Sequence, residues 1–190
     1  SEGTLKATGG ASFGSGTLYL SGGVLDLSSK AVANDIVLSD DACIKGGKKF
    51  AGSLDVSAAL LTGTSVNIAE GQTATLHGGT HSASLYGNGT VIVDGRVSWR
   101  TGSITTAAME ITGSSARFTA QTKGLVMNSK KSSIVLSDGG TLISQGKISA
   151  YALTMSGEDS LLDVTNQKPV SVSFKGDVSF TDAHKVKVYG

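Results

Sequence analysis

Leu18-Tyr19-Leu20-Ser21-Gly22-Gly23-Val24-Leu25-Asp26-Leu27 sets the pattern that the rest of the chain repeats. Two apolar residues flank an intervening one, a small hydroxyl residue follows, a tight glycine turn comes next, and a second short apolar run closes the unit. The pattern returns as Ile36-Val37-Leu38-Ser39-Asp40-Asp41-Ala42-Cys43-Ile44, and again as Leu54-Asp55-Val56-Ser57 and Val91-Ile92-Val93-Asp94-Gly95. Met109-Glu110-Ile111-Thr112-Gly113, Ile134-Val135-Leu136-Ser137-Asp138-Gly139-Gly140, Leu153-Thr154-Met155-Ser156-Gly157 and Val178-Ser179-Phe180-Thr181 complete the set of eight. A short strand, a turn and another short strand, repeated at a fixed period, is the signature of a solenoid coil.

The spacing supports this. From Leu18 to Ile36, from Ile36 to Leu54 and from Val91 to Met109 the step is 18 residues, and from Ile134 to Leu153 it is 19. The 37 residues between Leu54 and Val91 make two coils, the second of them carried by Thr73-Ala74-Thr75-Leu76-His77-Gly78-Gly79. Two steps of 25 residues follow Met109 and Leu153, and their surplus falls in polar stretches, 121–132 and 165–169, that read as loops extruded from a regular stack. An antiparallel sandwich has no reason to keep an 18-residue period, and the two-residue hairpin dipeptides that mark such folds are scarce, with Asn88-Gly89 as the exception. The expected fold is therefore all-β: a single domain over residues 1–190, built as a right-handed parallel β-helix (solenoid) of about ten short coils. Three short faces and a flattened coil both accommodate the period.

Alternation within each rung assigns the inside. Leu18, Leu20, Ile36, Leu38, Leu54, Val56, Val91, Val93, Met109, Ile111, Ile134, Leu136, Leu153, Met155, Val178 and Phe180 point inward, with Tyr19, Asp55, Glu110, Thr154 and Ser179 outward. Val37, Ile92 and Val135 break the alternation. Cys43, the single cysteine, permits no internal disulfide and reads as a small buried side chain between Ala42 and Ile44.

Composition narrows the class. The 26 glycines stand against a single proline, and branched aliphatics recur at strand spacing, which describes an ordered, turn-dense chain and not a disordered one. Basic and acidic residues balance at 16 and 15, against a phosphate-facing field, so no nucleic-acid partner is expected. No apolar run reaches membrane-spanning length, so no direct membrane insertion is expected. Residues 1–30 lack the basic-then-apolar order of a signal peptide, so an exported product would contain this chain in processed or excised form.

Candidate chemistry is sparse. Acids recur in the turn after the rung, among them Asp138, Glu158 and Asp159, whose repeats are neighbours. Asp is a standard turn former. Convergence of the three would instead suit Ca²⁺ or the paired carboxylates of glycoside hydrolysis. His77 and His81 flank two glycines and read as solvent-exposed turn residues. Arg96, Trp99 and Arg100 offer a surface for a sugar ring or a partner aromatic, although Trp99 is in phase with the inward Val97. No catalytic residue, metal site or cofactor is assigned.

Gly16-Thr17-Leu18-Tyr19-Leu20-Ser21-Gly22-Gly23, Gly89-Thr90-Val91-Ile92-Val93-Asp94-Gly95 and Gly140-Thr141-Leu142-Ile143-Ser144 resemble the Gly-Thr-Leu-x-Leu-x-Gly phrases of autotransporter passenger domains of Gram-negative bacteria. Phage tailspikes and extracellular polysaccharide-degrading β-helices share this look. The resemblance implies a bacterial extracellular or cell-surface rod, non-enzymatic, used as a stalk, adhesin or fibre component. Thr4-Leu5-Lys6-Ala7 and Val186-Lys187-Val188-Tyr189 read as further coils and not as caps, so the expected partners are other proteins or copies of itself through the solenoid ends, with host or matrix glycans beside them. A glycan-binding or polysaccharide-degrading β-helix and a self-stacking filament subunit are the alternatives.

Overall fold

The computed structural model describes residues 3–6, 13–29, 31–48, 50–57, 59, 61–121, 125–127, 130–165, 171–182 and 184–189. They form an all-β parallel solenoid with three faces. The first face stacks Leu18–Ser21, Ile36–Ser39, Leu54–Val56, the leading parts of Thr73–Tyr86 and Thr90–Thr101, Ala108–Thr112, Ser133–Ser137, Ala152–Ser156 and Val178–Thr181. Each pairs in parallel with the next, placing Leu18, Ile36, Leu54, Ala74, Val91, Met109, Ile134, Leu153 and Val178 in one column. This is the register expected from the repeat. Ala74 fills the rung inside the long gap.

The second face stacks Thr4–Lys6, Val24–Leu27 and Cys43–Gly46, and farther along Arg117–Ala120, Thr141–Ser144, Ser160–Thr165 and His184–Tyr189. In the middle it uses residues 78–82 and 96–101 of the two long strands. The third face begins as a single bridge between Val32 and Phe50 and continues through Val66, Leu85 and Ile104 to Leu125–Val126, Ile148–Ala150 and Val172–Phe174. The three faces close roughly seven full turns. The count falls short of ten because Thr4–Lys6 is described on one face, the last turn on two, and the turn that begins at Leu54 reaches the second face among the described residues only where Thr62 pairs with Ser82.

The core is built from inward columns on each face, two of them on the first. Ile36, Leu38, Val56, Val91, Ile111, Leu136 and Met155 are fully buried on the first face, and Leu25, Phe118 and Leu142 on the second. Burying each such side chain contributes on the order of 1.5–3 kcal/mol. Val37, Ile92 and Val135 point outward and are half-buried. The expected inward set holds except at the ends, where Leu18 and Leu20 are only partly buried and Val178 and Phe180 are exposed. Their orientation is inward by register, but no described rung lies beyond them.

Several local expectations change. Asn88-Gly89 makes no hairpin, because the strands it joins are parallel; it turns the chain from the third face to the first. Cys43 is half-buried, since the alternation buries Ala42 and Ile44 and turns the thiol outward between them. Within 121–132, read as an extruded loop, Leu125–Val126 is a third-face rung paired with Ile148–Ser149, and Leu125 and Met127 are buried. Residues 122–124 and 128–129 lie outside the described set. In 165–169, Thr165 pairs with Tyr189, and the remainder also lies outside that set.

Glycine is required where rungs approach closely. Gly102 has a φ of +91°, and a Cβ there would overlap the Ala83 carbonyl oxygen of the preceding turn.

Leu136 lies in register between Ile111 and Met155 with no exposed surface. Leu136→Ala is expected to cost about 2–5 kcal/mol in urea unfolding. Val178→Ala, on the exposed last rung, should stay within about 0.5 kcal/mol of the parent. Equal losses at the two positions would contradict this distribution of the core.

Candidate functional site

The residues singled out by the sequence occupy two separate places. Arg96, Trp99 and Arg100 belong to the strand Thr90–Thr101, where it forms the second face. Alternation turns Val97 and Trp99 into the core and leaves Arg96 and Arg100 exposed. Trp99 is only 4 % exposed, and its ring packs at 5.6 Å from the ring of His81 and 6.1 Å from that of Phe118. It is a core aromatic, out of reach of an external sugar.

Asp138, Glu158 and Asp159 stand at the corner between the first and second faces, in successive turns, and all three are exposed. Asp138 and Asp159 have φ values of 53° and 64°, the left-handed conformation such a turn demands and that Asp tolerates. Their side chains look in opposite directions along the stack. Asp138 Oδ2 accepts a hydrogen bond from Thr112 Oγ1 of the preceding turn at 3.3 Å, whereas Asp159 pairs with Lys185 of the following turn at 3.0 Å. Among the described residues no group of three His, Cys, Asp or Glu side chains is placed to hold a metal ion.

The charged cluster that the fold does assemble lies elsewhere. His77 and His81 are not turn residues; both lie within the strand Thr73–Tyr86. Four residues apart on a strand they would share a face, but the ladder slips between Leu76 and Gly78, and Gly79 has a φ of +102°. The chain thereby passes from the first face to the second, leaving His77 outside and His81 inside.

His81 is fully buried. Its Nδ1 accepts the Leu61 amide at 3.2 Å and its Nε2 lies 3.0 Å from the Gly78 carbonyl oxygen, which fixes the proton on Nε2 and the ring as neutral. Burial pushes its pKa down, against a smaller upward pull from the Gly78 carbonyl.

His77 is bracketed axially. Nε2 is 3.2 Å from Asp55 Oδ2 in the turn before, and Nδ1 is 2.8 Å from Asp94 Oδ1 in the turn after. Partial burial alone would lower its pKa; the hydrogen bond to Asp55 and the charges of Asp94 and Asp55 outweigh that and raise it. Gly95 makes the approach possible, since a Cβ there would overlap the His77 carbonyl oxygen. Both ring nitrogens are engaged by different carboxylates on opposite sides. With the ring protonated, the arrangement is an ionic bridge over three turns.

Half of this cluster follows from the repeat. With Leu76 aligned to Val93, His77 and Asp94 are equivalent positions in adjacent coils. Asp55 sits two places earlier in its own coil, in register with Thr75, and reaches His77 diagonally.

Trp99 Nε1 is buried without a hydrogen-bond partner. Trp99→Phe removes that donor along with some packing, so it is expected to cost less than about 1.5 kcal/mol. His81→Leu strands the Leu61 amide and should cost about 1–3 kcal/mol in the same urea titration. His81 has a depressed pKa, so its contribution is complete above 6.5 and lost as pH falls through its lowered value; the ring carbon shifts of His81 should still report a neutral ring just below pH 6.5. A charged His81 there would refute the assignment. Compared with protein-family models, curated proteins and solved structures, the chain matches none.

Proposed function

We propose that this solenoid is a non-enzymatic structural rod of a bacterial surface or extracellular assembly, with adhesive or fibre-forming use. The observation that carries the reading is the uninterrupted first-face ladder, nine rungs paired in parallel over a continuous buried column. At an interstrand spacing of about 4.8 Å such a ladder is about 40 Å long. Its stiffness comes from backbone pairing between neighbouring turns, and each turn presents exposed corners sideways. That is the physics of a spacer or display scaffold.

A second reading, end-to-end association, is favoured by the exposed apolar side chains of the last described rungs. Val178, Phe180 and Val186 are 44–46 % exposed, although by register they continue the columns of Leu153, Met155 and Leu162. Another parallel rung, from a copy of the chain or from another protein, would cover them.

Electron microscopy combined with sedimentation over a concentration series tests both. Rods of about the ladder length are expected at low concentration, lengthening as concentration rises, with Val186→Asp abolishing the lengthening. Monomers at every concentration would remove the end-to-end reading alone. Turnover of any member of a polysaccharide panel, abolished by substitution of one exposed acid, would overturn the non-enzymatic one.

A further inference from the structure

We propose that Asp55, His77 and Asp94 form a proton-dependent clamp that holds three successive turns together at the corner between the first and second faces. The three side chains come from three consecutive first-face rungs, those of Leu54–Val56, Thr73–Tyr86 and Thr90–Thr101. The imidazole spans them, 3.2 Å from one carboxylate and 2.8 Å from the other.

The backbone at this corner explains why a clamp is useful there. After the rungs at Leu18, Ile36, Ala108, Ser133 and Ala152 the chain turns through a left-handed residue: Gly22 and Gly23, Asp40, Gly113, Asp138, or Gly157 with Asp159. In the two central turns the strand continues through the corner, with Gly79 left-handed in the first of them, and the ladder between them slips between Leu76 and Gly78. The side-chain bridge sits where backbone pairing is irregular.

The chemistry makes the bridge conditional on a proton. Imidazolium has two N–H donors, one for each carboxylate. Neutral imidazole has one, so the other nitrogen would direct a lone pair at a carboxylate oxygen across the same short distance. Deprotonation thus breaks one arm and leaves Asp55 and Asp94 without the cation between them. Among the described residues, the charged groups on the neighbouring rungs include Arg96, in register with Gly78, Arg117, in register with Arg96, and Glu110, in register with Ile92 one turn farther on. Because the pKa of His77 is raised, the clamp's stabilisation is complete below 6.5 and lost as pH rises through the folded value. His81 titrates with the opposite sign, so a global stability profile blends the two, and residue-level readouts are needed.

The test is an NMR titration of the histidine rings, with His77 assigned through its loss in His77→Gln, together with amide exchange on the native chain. The His77 midpoint should lie above 6.5, and Asp55→Asn and Asp94→Asn should each move it down. Protection of the amides in 74–76 and 91–93, corrected for intrinsic exchange, should fall as pH rises through that midpoint. The fall should be about tenfold for each pKa unit by which the midpoint exceeds 6.5. In His77→Gln this step should vanish, and Asp94→Asn offers the same comparison if the glutamine variant folds poorly. A midpoint at or below 6.5, or an exchange step that persists without His77, would overturn the proposal.

Discussion

Every inner rung of a parallel solenoid depends on each of its two neighbours for half of its ladder hydrogen bonds, and that dependence fixes nearly everything else in this chain. A rung can satisfy its amides and carbonyls only if the next coil returns in register, and register slips turn inward side chains outward. The Leu18-to-Val178 column is the physical record of that requirement. Length is therefore conserved where the rungs lie and free only at the corners. The 25-residue steps add chain between rungs without displacing Met109 from Ile134 or Leu153 from Val178.

Where the ladder falters, side chains take over its role. In the turn that begins at Leu54, the second face is reached among the described residues only where Thr62 pairs with Ser82. There the Leu61 amide is satisfied by the imidazole of His81, while the Leu61 carbonyl accepts the Ser82 amide. A buried histidine thus stands in for the backbone acceptor a regular rung would provide. This choice fixes its tautomer and neutral charge, and it packs against Trp99, which lacks a hydrogen-bond partner of its own. The outer His77 does related work with charge. Two histidines four residues apart respond oppositely to protonation because Gly78-Gly79 carries the chain from one face to the next between them.

The first face was legible in the sequence because its rungs are apolar-x-apolar and recur at a near-constant step; even Ala74, the weakest member, was placed by counting. The other faces were harder to read for a physical reason. Third-face rungs are as short as the single Val32–Phe50 bridge or the pair Leu125–Val126, too short to show alternation, and the latter is embedded in polar sequence that resembles loop. The inward phase of Trp99 was legible from Val97. The burial of His81 was not, because two adjacent glycines look like a turn and here lie within an extended strand. Aligning repeats places Asp94 beside His77, but the diagonal reach of Asp55 depends on side-chain geometry that spacing does not encode.

The recurrence of acids along the corners has a backbone origin in at least three turns. Asp40, Asp138 and Asp159 have left-handed φ values of 53°, 53° and 64°, at positions where other coils use glycine. Short polar side chains reach that region at lower cost than branched or bulky ones, because they bond locally to the backbone. An acid at such a corner keeps its carboxylate exposed and free to point either way along the stack. Asp138 meets a hydroxyl behind it, and Asp159 a lysine ahead. Asp55 and Asp94 carry the same chemical group but sit in extended backbone, with no conformational requirement to explain them. Their carboxylates are accounted for by what they touch. That distinction separates the turn-forming acids of this solenoid from the two that bracket His77.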